Sequence, residues 1–386
     1  MDFEYSEEHH IYRDNLIKFL DREIMPLDDK WGDIEMTSER AKSLFKMLIP
    51  WGYVGEERIG DWIINCIMSE EMARVFPSLG GCVGISTSAG RIIQARAHPD
   101  VASRLVSPLL NGELIGAAAI SEPNVGSDPS SIECRAVKKS DRYVISGNKC
   151  WISNGHIADV VVVVAQTEHD KGPAGIRQFV IDRRETPFES RDIETIGLRA
   201  FPTSELFLDE VEIPETQRLD GWGETARDQN PAKSFGKVLR SIAGARVGTS
   251  IISIGIAQRA FSIALDYVGQ RKQFGREIGR FQLVQEMIAE MATDIDAARL
   301  LSYRAMQLIQ HRDCQAEVSM AKAFATEMGV RVCNKAIQCM GALGLATESR
   351  VERCMRDARM LTIPDGTTQI QNLIIGRSLT GMSAIR

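Results

Sequence analysis

The sequence predicts an α+β protein with an N-terminal helical domain, a small middle β-sheet domain and a C-terminal four-helix bundle. Three observations support this prediction. Apolar residues recur at helical spacing over residues 1–112, and short β-branched runs separated by turn residues occupy residues 113–220. Long stretches with the helical period return in residues 221–386. We therefore expect three domains with these boundaries.

The first domain shows its helical period in Ile11, Leu16 and Leu20, which repeat at helix-compatible intervals. Strand-like alternation does not occur in this part of the sequence. Pro77 is followed by glycines at positions 80, 81 and 84, and glycine interrupts helices. A new helix is therefore expected to begin near these glycines and to carry residues 85–93.

The middle and last domains differ in the length of their apolar runs. Short β-branched runs occur at residues 114–120, 143–145, 160–164 and 179–181. A polar link at residues 221–233 marks the next boundary. Helical stretches follow at residues 234–270, 281–311, 315–340 and 346–360. The first of them is apolar almost all round, which predicts a position in the middle of a helical bundle.

Composition and charge exclude several classes of function. The chain has 386 residues, 44% of them hydrophobic and 25% charged, which is ordinary for a globular protein. A net charge of −6, with no basic block, argues against a nucleic-acid partner. The acidic N-terminus lacks a signal-peptide pattern, and no unbroken apolar run reaches the ~18 residues of a membrane span. Eight cysteines without a CxxC pair indicate reduced thiols, and we expect a cytoplasmic protein with no metal site.

Two segments of the middle domain carry residues suited to a flat, electron-rich ligand. Residues 121–129 form a loop in which proline, asparagine and glycine force a turn, with hydroxyls at Ser121 and Ser127. A plain Asx- and Ser-rich turn is an equally good interpretation of this loop alone. Trp151 and Ser153 lie two residues apart, hence on the same side of a regular strand. A buried core tryptophan beside a surface serine is the alternative there.

These two segments, together with three later ones, resemble the acyl-CoA dehydrogenase family. The later segments are Ile196–Arg199 with residues 209–214, Gln270–Gly275 with Phe281 and Gln282, and Gln338–Ala342 with Pro364–Gln371. They follow one another in the family's order and cover nearly the whole chain. The sequence around residues 127–131 and 375–381 is most similar to that of glutaryl-CoA dehydrogenases. Asp365 is similar to the aspartate of alicyclic acyl-CoA dehydrogenases.

The resemblance implies FAD as cofactor, α,β-dehydrogenation of an acyl thioester and a homotetramer with electron-transfer flavoprotein as acceptor. The residues implied to surround the flavin ring are Ala118, Ile120, Ser121, Ser127, Trp151, Ile152 and Ser153. Those implied to hold the rest of FAD, partly from a second subunit, are Arg271, Phe274, Gln282, Gln338, Gly341, Ala342, Thr367 and Gln369. An arginine beside a pyrophosphate is physically expected, although a surface ion pair with Glu277 is the alternative for Arg271. Ala342 stands where the family commonly has glycine.

The resemblance also implies a base that takes the α-proton while a hydride goes to flavin N5. At this position the chain has Asp365 where most members have glutamate, and Pro364 precedes it in place of the usual aromatic residue. Aspartate reaches one methylene less far, and some family members that act on alicyclic acyl-CoAs resemble this chain in using an aspartate, so a cyclic or branched acyl group is expected. Ser127, Arg246 and Gly366 are implied to contact the substrate. A buried structural role is the alternative for Arg246.

Several alternatives remain open at this point. The residues at the position where glutaryl-CoA dehydrogenases hold a second carboxylate are Leu79, Gly80 and Gly81, which offer no cation, so a dicarboxylic substrate is disfavoured. The thioester could be carried by an acyl carrier protein, or the reaction could run as a reduction. A non-catalytic partner subunit with the same fold is the alternative from a different class.

Overall fold

The N-terminal part of the protein is helical in the computed structural model, which describes residues 5–56, 60–219 and 231–384. The helices of this part are α1 (Glu7–Phe19), α2 (Met25–Trp31), α3 (Ser38–Leu48), α4 (Trp62–Val75), α5 (Pro77–Arg96) and α6 (Pro99–Leu110). Polar side chains cap several helix starts, as where Asp61 Oδ1 accepts the backbone N–H of Ile63 at 2.7 Å.

Helix α5 begins at Pro77 and runs through the glycines that were expected to precede it. Proline suits the first turn of a helix because its missing N–H would be unpaired there anyway. The glycines serve close packing instead. A Cβ at Gly81 would lie 2.8 Å from the Phe201 ring, and one at Gly80 would lie 3.2 Å from Met72 Cγ. The expected interruption is therefore wrong, because glycine here allows neighbouring groups to approach the helix.

The middle part is one sheet of seven strands within the described residues. Its strands are β1 (Gly116–Ala119), β2 (Arg135–Lys139), β3 (Arg142–Ser153), β4 (Val160–Gln166), β5 (Ile176–Asp182), β6 (Glu189–Asp192) and β7 (Thr203–Pro214). The order is β1-β4-β2-β3-β7-β6, and β5 also pairs with β4. Strand β4 is buried along its whole length, as its unbroken run of valines predicts.

Long helices make up the C-terminal part. They are α7 (Pro231–Gln270), α8 (Gln282–Ile309), α9 (Gln315–Met340), α10 (Val351–Leu361) and α11 (Thr368–Thr380), and a hairpin of β8 (Lys272–Gln273) and β9 (Arg276–Glu277) joins α7 to α8. The predicted order of helices, sheet and helical bundle is confirmed. The predicted link lies mostly outside the described residues, and its last three residues belong to α7. Helix α11 was not predicted, because its apolar residues lack a clear one-sided pattern.

Helix α7 is the central helix of the bundle and packs against α4, α8, α9 and α10. Its stretch Ile242–Gln270 is long and apolar enough to cross a membrane by length and composition, with a mean hydropathy of 1.3. Half (50%) of the most apolar 18-residue segment of this stretch is buried inside the protein. Val247, Ile251 and Ile254 are among the fully buried side chains, so the apolar surface of α7 forms the core of the bundle.

A buried ion-pair network joins the N-terminal helices to the bundle. Asp28 on α2 is 1% exposed, and its Oδ2 accepts a hydrogen bond from Arg259 Nη1 on α7 at 2.7 Å. Arg353 on α10 donates to the same carboxylate oxygen. Both arginines are largely buried, and Asp28 is the buried carboxylate that they share, whereas their second partners, Asp29 and Asp33, are more exposed and lie at 3.9 and 3.8 Å. The eight cysteines are also buried, and none is in a disulfide.

Replacing Asp28 with alanine should lower the free energy of unfolding by about 3–5 kcal/mol, since breaking a buried pair leaves uncompensated charge. Urea unfolding followed by tryptophan fluorescence would measure this change. Asp100→Ala is the matched control because the Asp100 side chain is 88% exposed, and it should change stability by less than about 0.5 kcal/mol. Equal effects of the two substitutions would contradict the role given to Asp28.

Candidate active site

The loop after β1 forms the predicted turn and leaves its hydroxyl at Ser127 exposed. Glu122 and Val125 close the turn with two backbone hydrogen bonds, Glu122 N to Val125 O at 2.9 Å and Val125 N to Glu122 O at 3.1 Å. Ala118, Ile120 and Ser121 are half-buried on the strand and loop that lead into it. Backbone and hydroxyl groups of this loop are thus available to a ligand.

A buried ion pair fixes this loop to strand β3. Lys149 Nζ donates to Glu122 Oε1 at 2.7 Å and to the carbonyl of Ile120 at 3.0 Å, and neither charged side chain is more than 2% exposed. Glu122 also accepts the backbone N–H groups of Glu133 at 2.7 Å and Cys134 at 3.0 Å. Sequence reasoning missed this pair, although a lysine inside an apolar strand was a usable signal.

Strand β3 is irregular where it reaches Trp151. The pairing of β3 with β7 shifts between Lys149 and Ile152, and Trp151 has a left-handed φ of 63°. The alternation that placed Trp151 and Ser153 on one side therefore does not hold in this stretch. Trp151 is 60% exposed whereas Ile152 is 2% exposed, so the alternative of a core tryptophan is excluded. The indole presents an open aromatic face, and Ser153 is half-buried at the end of the strand.

The loop between α10 and α11 holds Asp365 half-buried against the bundle. Asp365 has φ 58° and Gly366 has φ 93°, both in the left-handed region. Thr367 then caps α11, since its hydroxyl accepts the backbone N–H of Ile370 at 3.4 Å, and Gln369 is exposed on the first turn. Gln371 Nε2 donates to the carbonyls of Asp365 at 3.0 Å and Gly366 at 2.9 Å. The left-handed backbone of this loop is therefore held by side-chain donors.

Two residues of α7 reach this loop. Thr249 Oγ1 donates to Asp365 Oδ2 at 2.7 Å, and Arg246 Nε donates to the Asp365 carbonyl at 2.9 Å. Arg246 is 8% exposed and also contacts Gln315 Oε1 at 3.4 Å. The structure thus brings Arg246, Asp365 and Gly366 together and adds Thr249 and Gln371, which were not identified from the sequence.

The surroundings of the loop shift the pKa of the Asp365 carboxyl group. Burial raises the pKa of Asp365 above its ordinary value, while the Thr249 hydrogen bond and the nearby Lys322 and Arg246 cations oppose that rise. Burial likewise lowers the pKa of Arg246. A carboxylate with a raised pKa and fixed geometry is suited to general-base catalysis.

The hairpin between α7 and α8 presents exposed cationic and aromatic groups. Arg271 is exposed, and Phe274 is 93% exposed with a φ of 51°. Glu277, the alternative partner of Arg271, instead binds Arg280 at 2.6 Å and Lys272 at 3.6 Å. In the described part of the chain, Arg271 forms no ion pair. Its charge is therefore available to an anion.

The remaining predicted residues lie at helix ends. Gln282 begins α8 and is exposed, and Gln338, Gly341 and Ala342 are exposed where α9 ends. Gly341 has a φ of 59°, which glycine adopts without strain. Arg246 and Gln270 lie 24 residues apart on α7, which is roughly 36 Å at the α-helical rise. The loop that carries Asp365 and the hairpin are therefore far apart within one chain.

Comparison with known proteins places this geometry among acyl-CoA dehydrogenases. Family models for their N-terminal, middle and C-terminal domains match residues 6–113, 117–211 and 235–380. The cyclohex-1-ene-1-carbonyl-CoA dehydrogenase of Geobacter metallireducens is 34% identical, over 97% of this chain and 98% of that protein. The caffeyl-CoA reductase-Etf complex subunit CarC of Acetobacterium woodii is 33% identical, over 95% and 96%. A solved glutaryl-CoA dehydrogenase in complex with glutaryl-CoA has a TM-score of 0.90 at 31% identity, and the match covers 100% of this chain and 98% of that one.

Replacing Lys149 with methionine should leave Glu122 buried without its cation and lower the free energy of unfolding by about 3–5 kcal/mol. The loop at residues 121–127 should loosen at the same time. Lys138→Met is the control, because Lys138 is 49% exposed in its pair with Glu215, and surface pairs contribute about 1 kcal/mol or less. Urea unfolding and the FAD retained after gel filtration would be measured. A Lys149→Met protein as stable as the Lys138→Met protein would contradict the anchoring role.

Proposed function

Because the chain belongs to the acyl-CoA dehydrogenase family, we propose that it removes hydrogen from Cα and Cβ of an acyl-CoA, with Asp365 as the base. The observation that carries this proposal is the Asp365 carboxylate, which accepts a hydrogen bond from Thr249 at 2.7 Å. Burial raises the pKa of this carboxylate. A base with a raised pKa takes a weakly acidic proton more readily than an exposed aspartate does. The family is one of oxidoreductases.

FAD is the family's cofactor, and the residues of this chain fit it. Trp151 offers an exposed aromatic face beside the Ser127 loop, which suits the edge of a flavin ring. Arg271 is an exposed cation without an ion pair in the described residues, which suits a pyrophosphate. When bound, FAD supplies the acceptor for the β-hydride.

The remaining chemistry belongs to the chain's own residues. Asp365 Oδ2 accepts a hydrogen bond from Thr249, and no described residue donates to Oδ1, so Oδ1 is the atom proposed to receive the α-proton. Arg246 donates to the Asp365 carbonyl at 2.9 Å, which assigns it to orienting the base loop. Gly366 is proposed to offer its backbone N–H to the thioester oxygen, and Ser127 to contact substrate from the other side. These contacts would orient Cα toward the carboxylate.

A cyclic or branched acyl group is the proposed substrate class. Aspartate places its carboxylate one methylene closer to the backbone than glutamate, so it suits a substrate whose Cα lies nearer to the loop. The similarity to a dehydrogenase named for a cyclic acyl-CoA supports this choice. Leu79, Gly80 and Gly81 are buried against the protein core and offer no cation, which disfavours a dicarboxylic substrate.

A second copy of the chain and an electron acceptor complete the proposal. Arg271, Phe274, Gln338, Gly341 and Ala342 are exposed on a single chain, and roughly 36 Å of helix α7 separates the hairpin from the Asp365 loop. We therefore propose a homotetramer in which these residues hold FAD bound to another subunit. Electron-transfer flavoprotein is the proposed acceptor, in keeping with the relative that is named as part of an Etf complex. A cytoplasmic location is proposed with it.

Replacing Asp365 with asparagine should leave FAD bound and slow flavin reduction by at least ~10²-fold, because the swap removes the base but keeps the shape. Anaerobic stopped-flow bleaching of the flavin band with linear and cyclic acyl-CoAs would measure it. In the wild type the rate should rise with pH, since only the ionised carboxylate accepts a proton, and the midpoint should lie above the ordinary aspartate pKa of about 3.9.

Asp266→Asn is the control for this experiment, because Asp266 is an exposed aspartate on α7. It should bleach at the wild-type rate. Asp365→Glu should lower activity on a cyclic substrate by crowding the site and favour straight-chain thioesters instead. An Asp365→Asn enzyme as fast as wild type would remove Asp365 from the mechanism.

Arg271→Ala should weaken FAD binding by about tenfold or more, because a hydrogen bond to a charged phosphate oxygen contributes roughly 1.5–3 kcal/mol. FAD affinity would be measured by fluorescence titration of the apoprotein, with light scattering to give the oligomeric state. Lys272→Ala is the neighbouring control, since Lys272 is exposed and already paired with Glu277. A wild-type monomer with full FAD occupancy would contradict the tetramer. An Arg271→Ala protein with unchanged FAD affinity would contradict the role of Arg271.

A further inference from the structure

Lys322 on α9 is a fully buried lysine beneath the base loop. Its side chain is 0% exposed, and its Nζ donates to the carbonyl of Thr362 at 3.1 Å and to that of Gly366 at 2.9 Å. These two carbonyls lie on either side of Asp365 in the chain. One ammonium group thus joins the two sides of the short segment that carries the carboxylate.

The charge of Lys322 is expensive to keep at this position. Moving an ammonium group out of water costs several kcal/mol unless a counter-charge and hydrogen bonds compensate for it. In the described residues no carboxylate lies within salt-bridge distance of Lys322, and carbonyl oxygens accept its hydrogen bonds. An apolar side chain would fill the same space without that cost, so packing alone does not account for a lysine.

The groups that face the loop show what the lysine could balance. Arg246 and Thr249 approach from α7, Gln371 from α11, and Lys322 from α9. The second acid near Lys322, Glu327, accepts a hydrogen bond from Thr368 Oγ1 at 2.6 Å. Asp365 is therefore the acid of the loop that faces two cations, Arg246 and Lys322.

We propose that Lys322 is a positioning residue for Asp365, which it serves by tying both sides of the base loop to α9 and by favouring the ionised carboxylate. This inference rests on the proposed function of Asp365 as the base. Burial lowers the pKa of Lys322 to about 8, with Asp365 opposing and Arg246 adding to the shift, so the ammonium is largely charged at neutral pH. Its positive charge offsets part of the rise in the pKa of Asp365 that burial causes.

The test compares Lys322→Met with wild type by the pH dependence of anaerobic flavin reduction. Removing a nearby opposite charge should move the acidic midpoint of the rate upward by about one pH unit. Below that midpoint the rate should fall about tenfold, while the FAD content stays at the wild-type level. Lys335→Met is the matched control, because Lys335 lies on the same helix but pairs with Glu290 at the surface at 2.7 Å. The midpoint of this control should not move.

Two further variants separate charge from structure. Lys322→Arg keeps the charge and should restore the wild-type midpoint at least in part. Lys322→Gln keeps a donor without the charge, and it replaces Lys322→Met if the latter does not fold with FAD. A midpoint unchanged within about 0.3 pH unit in a folded, FAD-loaded Met or Gln variant would overturn the proposal.

Failure of the proposed function would look different. If the wild-type acidic midpoint persists in Asp365→Asn, the base is another group and the proposed function fails. If Asp365→Asn abolishes that midpoint while the Lys322 variants leave it unmoved, only the inference about Lys322 fails. A purely structural role for Lys322 would lower FAD content or the melting temperature without moving the midpoint.

Discussion

The carbonyl groups of the loop between α10 and α11 impose the constraint on which the site depends. Asp365 and Gly366 both adopt left-handed backbone angles, so this segment continues neither helix and cannot satisfy its carbonyls internally. Donors must come from outside the loop, and they come from Arg246, Lys322 and Gln371 on three different helices. The position of one carboxylate thus depends on how α7, α9 and α11 pack around it.

The other half of the site follows the same physical rule. The loop after β1 is tied to β3 by Lys149, which reaches both a carboxylate and a carbonyl in a buried space. In both loops a buried lysine supports an irregular backbone that could not otherwise be desolvated. Trp151 and Ser127, the groups proposed to face the ligand, remain exposed above this support. Rigid support beneath an open surface is the arrangement that a preorganised site needs.

The length of α7 separates the two regions that are proposed to be functional. Its first half carries Arg246 and Thr249 to the base loop, and its end leads into the exposed hairpin with Arg271 and Phe274. Helix α7 is continuous and rises about 1.5 Å per residue, so the two regions stay far apart within one chain. An arginine and an aromatic side chain left exposed at the helix end are suited to contacts outside the chain, with FAD or with a second copy.

The sequence by itself determined the order of helices, sheet and bundle, because hydrophobic periods of 3.6 and 2 residues are local properties of the chain. The family resemblance of its local motifs also proposed Asp365, Arg246, Gly366 and Trp151 as candidate site residues. The sequence did not reveal the continuous helix through Gly80 and Gly81, where close packing against Met72 and Phe201 outweighs glycine's low helix propensity. Nor could it reveal Thr249 or Lys322 as supporting residues. Thr249 is 116 positions from Asp365 in the chain, and Lys322 is 44 positions from Gly366. Only the packing of α7 and α9 brings their donors to the carboxylate and carbonyls that need them, because no local pattern encodes a hydrogen bond across such a separation.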